Sequence, residues 1–404
     1  MLKNLVTLGT GEVVARAMHA VGFILIARAL GHQALGQFGL AVAVTSYVLL
    51  FVTQGFDQIA IRQVSREHAD LRGYVEQVLG LRLLLAAAAA SGVALTCALA
   101  TGLDPTLRGL LIVFCLSYVA NALTPRWSFL AIERPRPIAI GSFVAEAWFL
   151  GAAILIQSPS QVFWAAAAQV AGELSEAVYL LWTLRALGHR FGIRFSRAFA
   201  KPLVRESWPV TVSMLLGNMM YNFDVVILGA MGKGAEIGLY LACYRLVTVF
   251  TPLIAAFQSA VYPSLARSYP DFTRIRARVG WLTLAAAGAL AAAACLIAFF
   301  ARPFLLLLFG GDYVQGATLV QVLVWTLPLQ GFRSLLRHLL IAYHEQKVDT
   351  RNISFGVVTN VLVDVALIPR WGALGCAVST LGSEIVFSTL SAHAIATRVW
   401  RRGR

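Results

Sequence analysis

ARALGHQALGQFG occupies residues 27–39 and ILGAMGKGAEIGLY residues 227–240. Each begins where an apolar run ends, passes Leu-Gly and a short polar turn, and re-enters apolar sequence at Gly-x-aromatic: Gly36-Gln37-Phe38 in the first, Gly238-Leu239-Tyr240 in the second. The correspondence extends further. Gly36 precedes Arg66 by 30 residues and Gly238 precedes Arg267 by 29, and each arginine closes the apolar run that follows its turn. Two copies of one apolar, turn-punctuated unit in a single chain predict two pseudo-symmetric bundles.

The composition fixes the solvent. In 404 residues, 59% are apolar and 13% charged, and the mean hydropathy is +0.74, values that exclude a water-soluble surface and a disordered chain. Long period-two alternation is missing, which argues against an outer-membrane barrel. A helix needs roughly 20 residues to cross the hydrocarbon core. About twelve segments qualify: 5–30, 34–56, 76–100, 106–131, 138–157, 161–184, 208–231, 236–262, 279–301, 315–341, 351–368 and 373–397. The expected fold is an all-α polytopic membrane protein of two six-helix bundles: an N-terminal lobe 1–184, a basic cytoplasmic linker 185–207 and a C-terminal lobe 208–404. The first apolar stretch contains Glu12 and Arg16 and reads as a membrane helix rather than a cleavable signal. Cys97, Cys115, Cys243, Cys295 and Cys376 are scattered singly, without metal-site or disulfide spacing.

The formal charge of +14 would suggest nucleic acid in a soluble protein. Assigning every basic residue removes that reading. With a cytoplasmic N-terminus, 22 of the 33 lysines and arginines fall on the cytoplasmic side, five on the other and six inside spans. This is the positive-inside pattern, and it predicts two cytoplasmic termini. Within the linker, Arg190, Arg194, Arg197, Lys201 and Arg205 recur at helical spacing beside Phe191, Phe195 and Phe199. Either an amphipathic helix on anionic inner-leaflet lipid or a solvated connection fits, and Gly192 weakens the helix.

At these residues the chain resembles the polysaccharide flippases of the multidrug/oligosaccharidyl-lipid/polysaccharide exporter superfamily. The likeness rests on the Ala-Arg-x-Leu-Gly turn from Ala27, GFDQIAIRQVSR at 55–66, Asn222-Phe223-Asp224 with Ile227-Leu228-Gly229, Gly238 through Tyr240, Tyr244-Arg245-Leu246 and Pro263. It implies a bacterial inner-membrane protein that moves an undecaprenyl-pyrophosphate-linked oligosaccharide from the cytoplasmic to the periplasmic leaflet for surface polysaccharide assembly. Polymerase and glycosyltransferase partners are implied with it. The related lipid II flippases typically have 14 spans and an Arg-Asp pair midway along the first. Here that stretch reads His19-Ala20-Val21-Gly22, which demotes peptidoglycan-precursor transport.

Thirteen ionisable residues fall inside the expected spans: Arg16, Arg82, Arg126, Arg245, Arg333, Arg337, Glu12, Glu146, Glu173, Glu176, Asp224, Asp364 and Glu384. Central and unpaired, they would cost on the order of 30–45 kcal/mol. They must therefore pair, lie near headgroups or line a hydrated cavity. A pyrophosphate needs cations, and Arg16, Arg245, Arg333, Arg82, Arg126 and Arg337 are the candidates, with fixed ion pairs or snorkelling as the alternative role. Glu12 stands four residues before Arg16, an orientation that favours pairing. Asp224 and Arg245 lie at matching depth and could meet. Glu173 and Glu176, three apart, could share a proton, and Glu146 and Glu384 are further candidates for coupling to a proton or sodium gradient. No cofactor is expected. Gly9-Thr10-Gly11 lacks the remaining glycine of a dinucleotide motif, no phosphate-binding lysine loop occurs, and loops of about 20 residues cannot house a catalytic domain, so an enzyme is not expected. Two alternatives stand beside the flippase: an ion-coupled multidrug exporter of the same superfamily, and a non-transporting scaffold of a glycan-assembly complex.

Overall fold

The computed structural model describes residues 2–66, 70–251, 254, 272–343 and 345–399. Pro263, Arg267, Arg401, Arg402 and Arg404 lie outside them, as does most of the expected span 236–262 beyond residue 251. The described residues are helical almost throughout, and the chain divides into two compact units, Met1–Asn218 and Met219–Arg404.

The first unit contains α1 (Leu2–Thr53), α2 (Phe56–Arg66), α3 (Leu71–Leu99), α4 (Pro105–Leu123), α5 (Arg126–Ala131), α6 (Arg136–Leu155), α7 (Val162–Ala186) and the start of α8 (Arg197–Ala230). At about 1.5 Å per residue the 52 residues of α1 greatly exceed a hydrocarbon core of about 30 Å. Gly31 divides it, with φ 67° and ψ 170°. This is the glycine of the Leu30-Gly31 turn. In the matching turn the left-handed residue is Gly232, at φ 71°, between α8 and α9 (Gly234–Thr248). Helix starts follow local chemistry as well. Asp70 caps α3 by accepting from Arg72 N at 3.1 Å and Gly73 N at 2.9 Å, and Asp104 caps α4 with Pro105 following at its first position.

Two expected spans are interrupted. The 106–131 segment breaks at Thr124-Pro125, because proline has no N–H to continue the ladder and disfavours helix at the residue before it. The 315–341 segment is divided into α12 (Ala317–Leu323) and α13 (Thr326–Ala342). The second unit is completed by α10 (Phe272–Phe299), α11 (Ala301–Leu308), α14 (Gln346–Trp371) and α15 (Ala373–Ala394). Among the described residues seven helical stretches are long and apolar enough to cross a membrane, up to nine when two bent pairs are each counted as one span.

The helical spacing expected across the linker is realised only from Arg197 onward. Residues 189–196 have no helical turn and are pinned to α3. Buried Glu76 accepts from Gly192 N at 3.0 Å and pairs with Arg72 at 3.2 Å and Arg194 at 3.1 Å. Arg194 N donates back to the Glu76 carbonyl at 3.1 Å. Gly80, one turn further along α3, leaves room for the Arg194 carbonyl, where any Cβ would overlap that oxygen. Beyond the tether, Phe199 meets Tyr74 edge to face at 4.9 Å, and Ala200 and Leu203 join a core with Phe56, Val78, Trp127 and Leu184.

Gly80→Ala is expected to destabilise the protein by about 1–3 kcal/mol through overpacking, read as a lowered thermal midpoint in detergent. Gly92→Ala on the same helix, with nothing near its Cβ, should leave the midpoint unchanged or raise it. Equal midpoints for the two variants would show that the tether is not close-packed.

Candidate functional site: compensated charges in two units

In the first unit, Glu12, Arg16 and His19 recur at helical spacing along the first half of α1. Glu12 and Arg16 lie 3.3 Å apart, and the Arg16 side chain is 67% exposed. His19 Nδ1 stands 3.0 Å from Glu146 Oε2 of α6. One turn before Glu146, Ser142 accepts from Arg126 at 3.2 Å. Arg126 also donates from both Nε and Nη2 to the two oxygens of Glu176 on α7, at 2.5 and 2.6 Å. That planar fork onto a carboxylate is the strongest geometry the pair can adopt.

The carboxylates expected to share a proton are separated by their partners. Glu176 is held by Arg126, whereas Glu173 accepts from Asn121 at 3.1 Å and Gln169 at 3.4 Å. The remaining candidate of this unit, Arg82 on α3, donates to Asp57 of α2 at 2.6 Å, and its side chain is 2% exposed. It fills a closed position over the Phe56 ring, 6.0 Å from the centroid, so it has no room to receive a phosphate. An apolar groove of about 630 Å³ runs along α6 and α7, lined by Phe143, Trp148, Leu155 and Trp164, with none of the candidate charges in its wall.

In the second unit, Arg333 of α13 makes a two-pronged pair with Glu384 of α15 at 2.9 and 3.2 Å. Its guanidinium also lies 4.2 Å from the Phe387 ring centroid. Side-chain exposures of 12% and 2% make this a buried unit rather than an open cation. Arg337, one turn on, pairs with Asp349 at 3.0 Å. Arg245 is on α9.

Asp224 is buried near the end of α8, engaged by the N–H of Val225 at 2.9 Å and by Tyr240. The Tyr240 hydroxyl is also 3.3 Å from Thr380. Asp364 of α14 is fully buried and within electrostatic reach of Asp224. Among the described residues, neither of its oxygens has a hydrogen-bond partner. The nearby Ser379 hydroxyl is committed to the Asn360 carbonyl at 2.9 Å. Asp224 thus keeps hydrogen-bond partners for its burial, whereas Asp364 has none among the described residues.

Sequence reading selected Asp224 without Asp364, Asn360 or Tyr240, and passed over His19. The signals were present. Asn360 and Asp364 are four apart on one helix, Ser379, Thr380 and Ser383 mark the facing helix as polar, and His19 continues the Glu12, Arg16 spacing.

Fold and charge arrangement define a multi-pass helical membrane protein whose intramembrane charges are largely neutralised in place. By its sequence the chain belongs to the polysaccharide biosynthesis protein family (Polysacc_synt), which matches residues 1–269. A Shigella dysenteriae protein named as an O-antigen transporter is 21% identical over 358 residues, 86% of this chain and 87% of that protein. A Haloferax volcanii protein named as the flippase AglR is 26% identical over 45% of this chain, although the match spans only 39% of the relative's length. The fold is similar to the inward closed conformation of the lipid II flippase MurJ, with a TM-score of 0.80 at 13% identity over 97% of this chain and 88% of that one. It is also similar to an inward-facing MATE-family multidrug resistance transporter, with a TM-score of 0.71 at 13% identity over 95% and 94%.

Breaking the buried pair from one side, as Arg333→Gln, is expected to cost roughly 3–5 kcal/mol by stranding the Glu384 carboxylate. The double variant Arg333→Met with Glu384→Gln removes both charges and should recover most of that loss. Thermal unfolding in detergent measures both, and a double variant no more stable than the single one would refute a charge-compensation role.

Proposed function

We propose that this protein is a flippase for a polyprenyl-pyrophosphate-linked oligosaccharide, undecaprenyl-linked in a bacterial inner membrane. It moves its substrate from the cytoplasmic to the periplasmic leaflet by alternating access and feeds surface polysaccharide synthesis. Family membership and the relatives named as O-antigen transporter and flippase support the reading. The observation that carries it is Arg16, a cation within the expected first span that is two-thirds exposed and held by one 3.3 Å contact to Glu12. Such a group can exchange its carboxylate for a phosphate oxygen at small cost, because an exposed pair contributes only about 0–1 kcal/mol. Arg126, 43% exposed beside Glu176, is the second phosphate ligand of this unit. The Asp224–Asp364 pair is the proposed seat of a coupling proton or sodium ion. Polymerase and glycosyltransferase partners would act before and after transfer.

A second reading, the ion-coupled multidrug exporter, draws on the carboxylates Glu12, Glu146, Glu173 and Glu176, which outnumber Arg16 and Arg126 among the candidate charges of the first unit. In proteoliposomes, a labelled undecaprenyl-pyrophosphate oligosaccharide should become accessible to an external lectin only when the protein is present. Arg16→Gln should slow that transfer at least about tenfold, the scale of one charge-assisted hydrogen bond, with an unchanged thermal midpoint. Unimpaired transfer by Arg16→Gln would remove Arg16 from the site. Absent transfer of the lipid together with efflux of a cationic dye would favour the exporter.

A further inference from the structure

His19 of α1 and Glu146 of α6 meet within the first unit. Glu146 lies about 15 Å from the start of α6 and about 14 Å from its end, at roughly 1.5 Å per residue, so the pair is midway along a helix long enough to span the membrane. The imidazole stacks on Phe149 with centroids 4.8 Å apart and planes 11° apart. Phe149 is itself buried and set against Gly22, where a Cβ would stand 3.0 Å from the ring. Ring and carboxylate are thus held in register across the α1 and α6 contact, while side-chain exposures of 34% and 27% leave both partly open. A histidine and a glutamate midway along their helices are thus fixed in geometry yet only partly covered.

We propose that His19 and Glu146 form a proton-binding site, and that its occupancy is linked to binding of an anionic lipid pyrophosphate at Arg16 and Arg126. The linkage, though not the proton site, rests on the flippase reading above. The carboxylate acceptor favours the imidazole tautomer with hydrogen on Nδ1, leaving the Nε2 lone pair free. An arriving proton bonds to Nε2. The Nδ1–H to Oε2 bond becomes charge-assisted, and the pair changes from a net charge of −1 to zero.

The charges on surrounding elements set the direction of the linkage. Glu12 and Arg16 share α1 with His19, which also carries Arg28 and His32 further on. The α7 helix contributes Glu173 and Glu176, and α5 contributes Arg126. Arg82 on α3 is closed by Asp57, and α4 offers Arg108, Cys115 and Tyr118. Leaving aside Arg82, which Asp57 closes, and Arg28 and Arg108 toward the other helix ends, Glu12, Glu146, Glu173 and Glu176 count four carboxylates against the guanidiniums of Arg16 and Arg126, a formal −2 that opposes an incoming pyrophosphate. One proton on the His19 pair reduces this to −1. Proton and anion therefore favour each other's binding, by the same factor in both directions.

Two measurements on the full-length protein in nanodiscs test this. First, nitrogen chemical shifts of the labelled histidines are followed from pH 5 to 9, with His19→Asn assigning the signal and keeping a side-chain N–H toward Glu146. The His19 resonance should respond to pH across this range, and Glu146→Gln should alter that response by removing its carboxylate partner. Second, binding of undecaprenyl pyrophosphate is measured over the same range. Affinity should rise as pH falls, by at most about tenfold per unit for one linked proton, and His19→Asn should flatten the profile. A His19 ring that does not respond to pH, or whose response ignores Glu146→Gln, overturns the proton site. A pH profile unchanged in His19→Asn overturns the linkage. A ring that titrates as expected with no pyrophosphate binding at any pH upholds the site and overturns the reading of Arg16 and Arg126.

Discussion

Hydrocarbon does not tolerate an isolated charge, and this constraint organises the interior of the protein. Five arginines of the expected spans are each closed by a carboxylate: Arg16 by Glu12, Arg82 by Asp57, Arg126 by Glu176, Arg333 by Glu384 and Arg337 by Asp349. The gross penalty calculated from sequence, tens of kcal/mol, is therefore never incurred. In its place the protein bears the smaller cost of desolvating matched pairs. The pairs cross-link helices that apolar packing alone would hold without strong rotational preference. Arg126 ties α5 to α7, and Arg333 ties α13 to α15. Loss of one partner is consequently a larger event than loss of both.

The membrane class and most helix positions were legible because they depend on one-dimensional quantities: apolar length and turn residues. The Leu30-Gly31 turn is an example, since a left-handed backbone is strained for any other residue and the sequence supplies glycine there. Less legible was the path of the linker. Arg190 to Arg205 has helical spacing, yet residues 189–196 leave the helix because Glu76 and Gly80, more than a hundred positions earlier, offer an acceptor and a gap for the Arg194 backbone. A tertiary tether of that kind has no local signature.

For the site, sequence supplied depth along each helix without rotation about it. Depth allowed Asp224 to meet Arg245 and Glu173 to meet Glu176. Rotation gives Glu173 and Glu176 separate partners, and Asp224 has Tyr240 among its own. His19 was overlooked for a related reason. Its partner is 127 residues away, and a single neutral-capable side chain in an apolar run attracts no attention until the facing carboxylate is known.

An arginine already satisfied by a carboxylate can bind a phosphate only by exchange, so its usefulness depends on what the exchange leaves behind. Arg82, with its side chain 2% exposed, is itself out of reach although Asp57 is 46% exposed, whereas departure of Arg333, 12% exposed, would strand Glu384. The released Glu384 would be buried and uncompensated, a cost of several kcal/mol that one new phosphate contact does not exceed. For Arg126 the abandoned Glu176 is equally buried, but Ser142 remains beside the guanidinium and can hold it while one oxygen is exchanged. Arg16 leaves behind Glu12, which is 43% exposed and can be solvated. Exchange is thus cheapest at Arg16, intermediate at Arg126 and prohibitive at Arg82 and Arg333. The same set of residue types accordingly separates into a structural framework and a small exchangeable group, and the distinction lies first in the exposure of the arginine and then in what its acid retains.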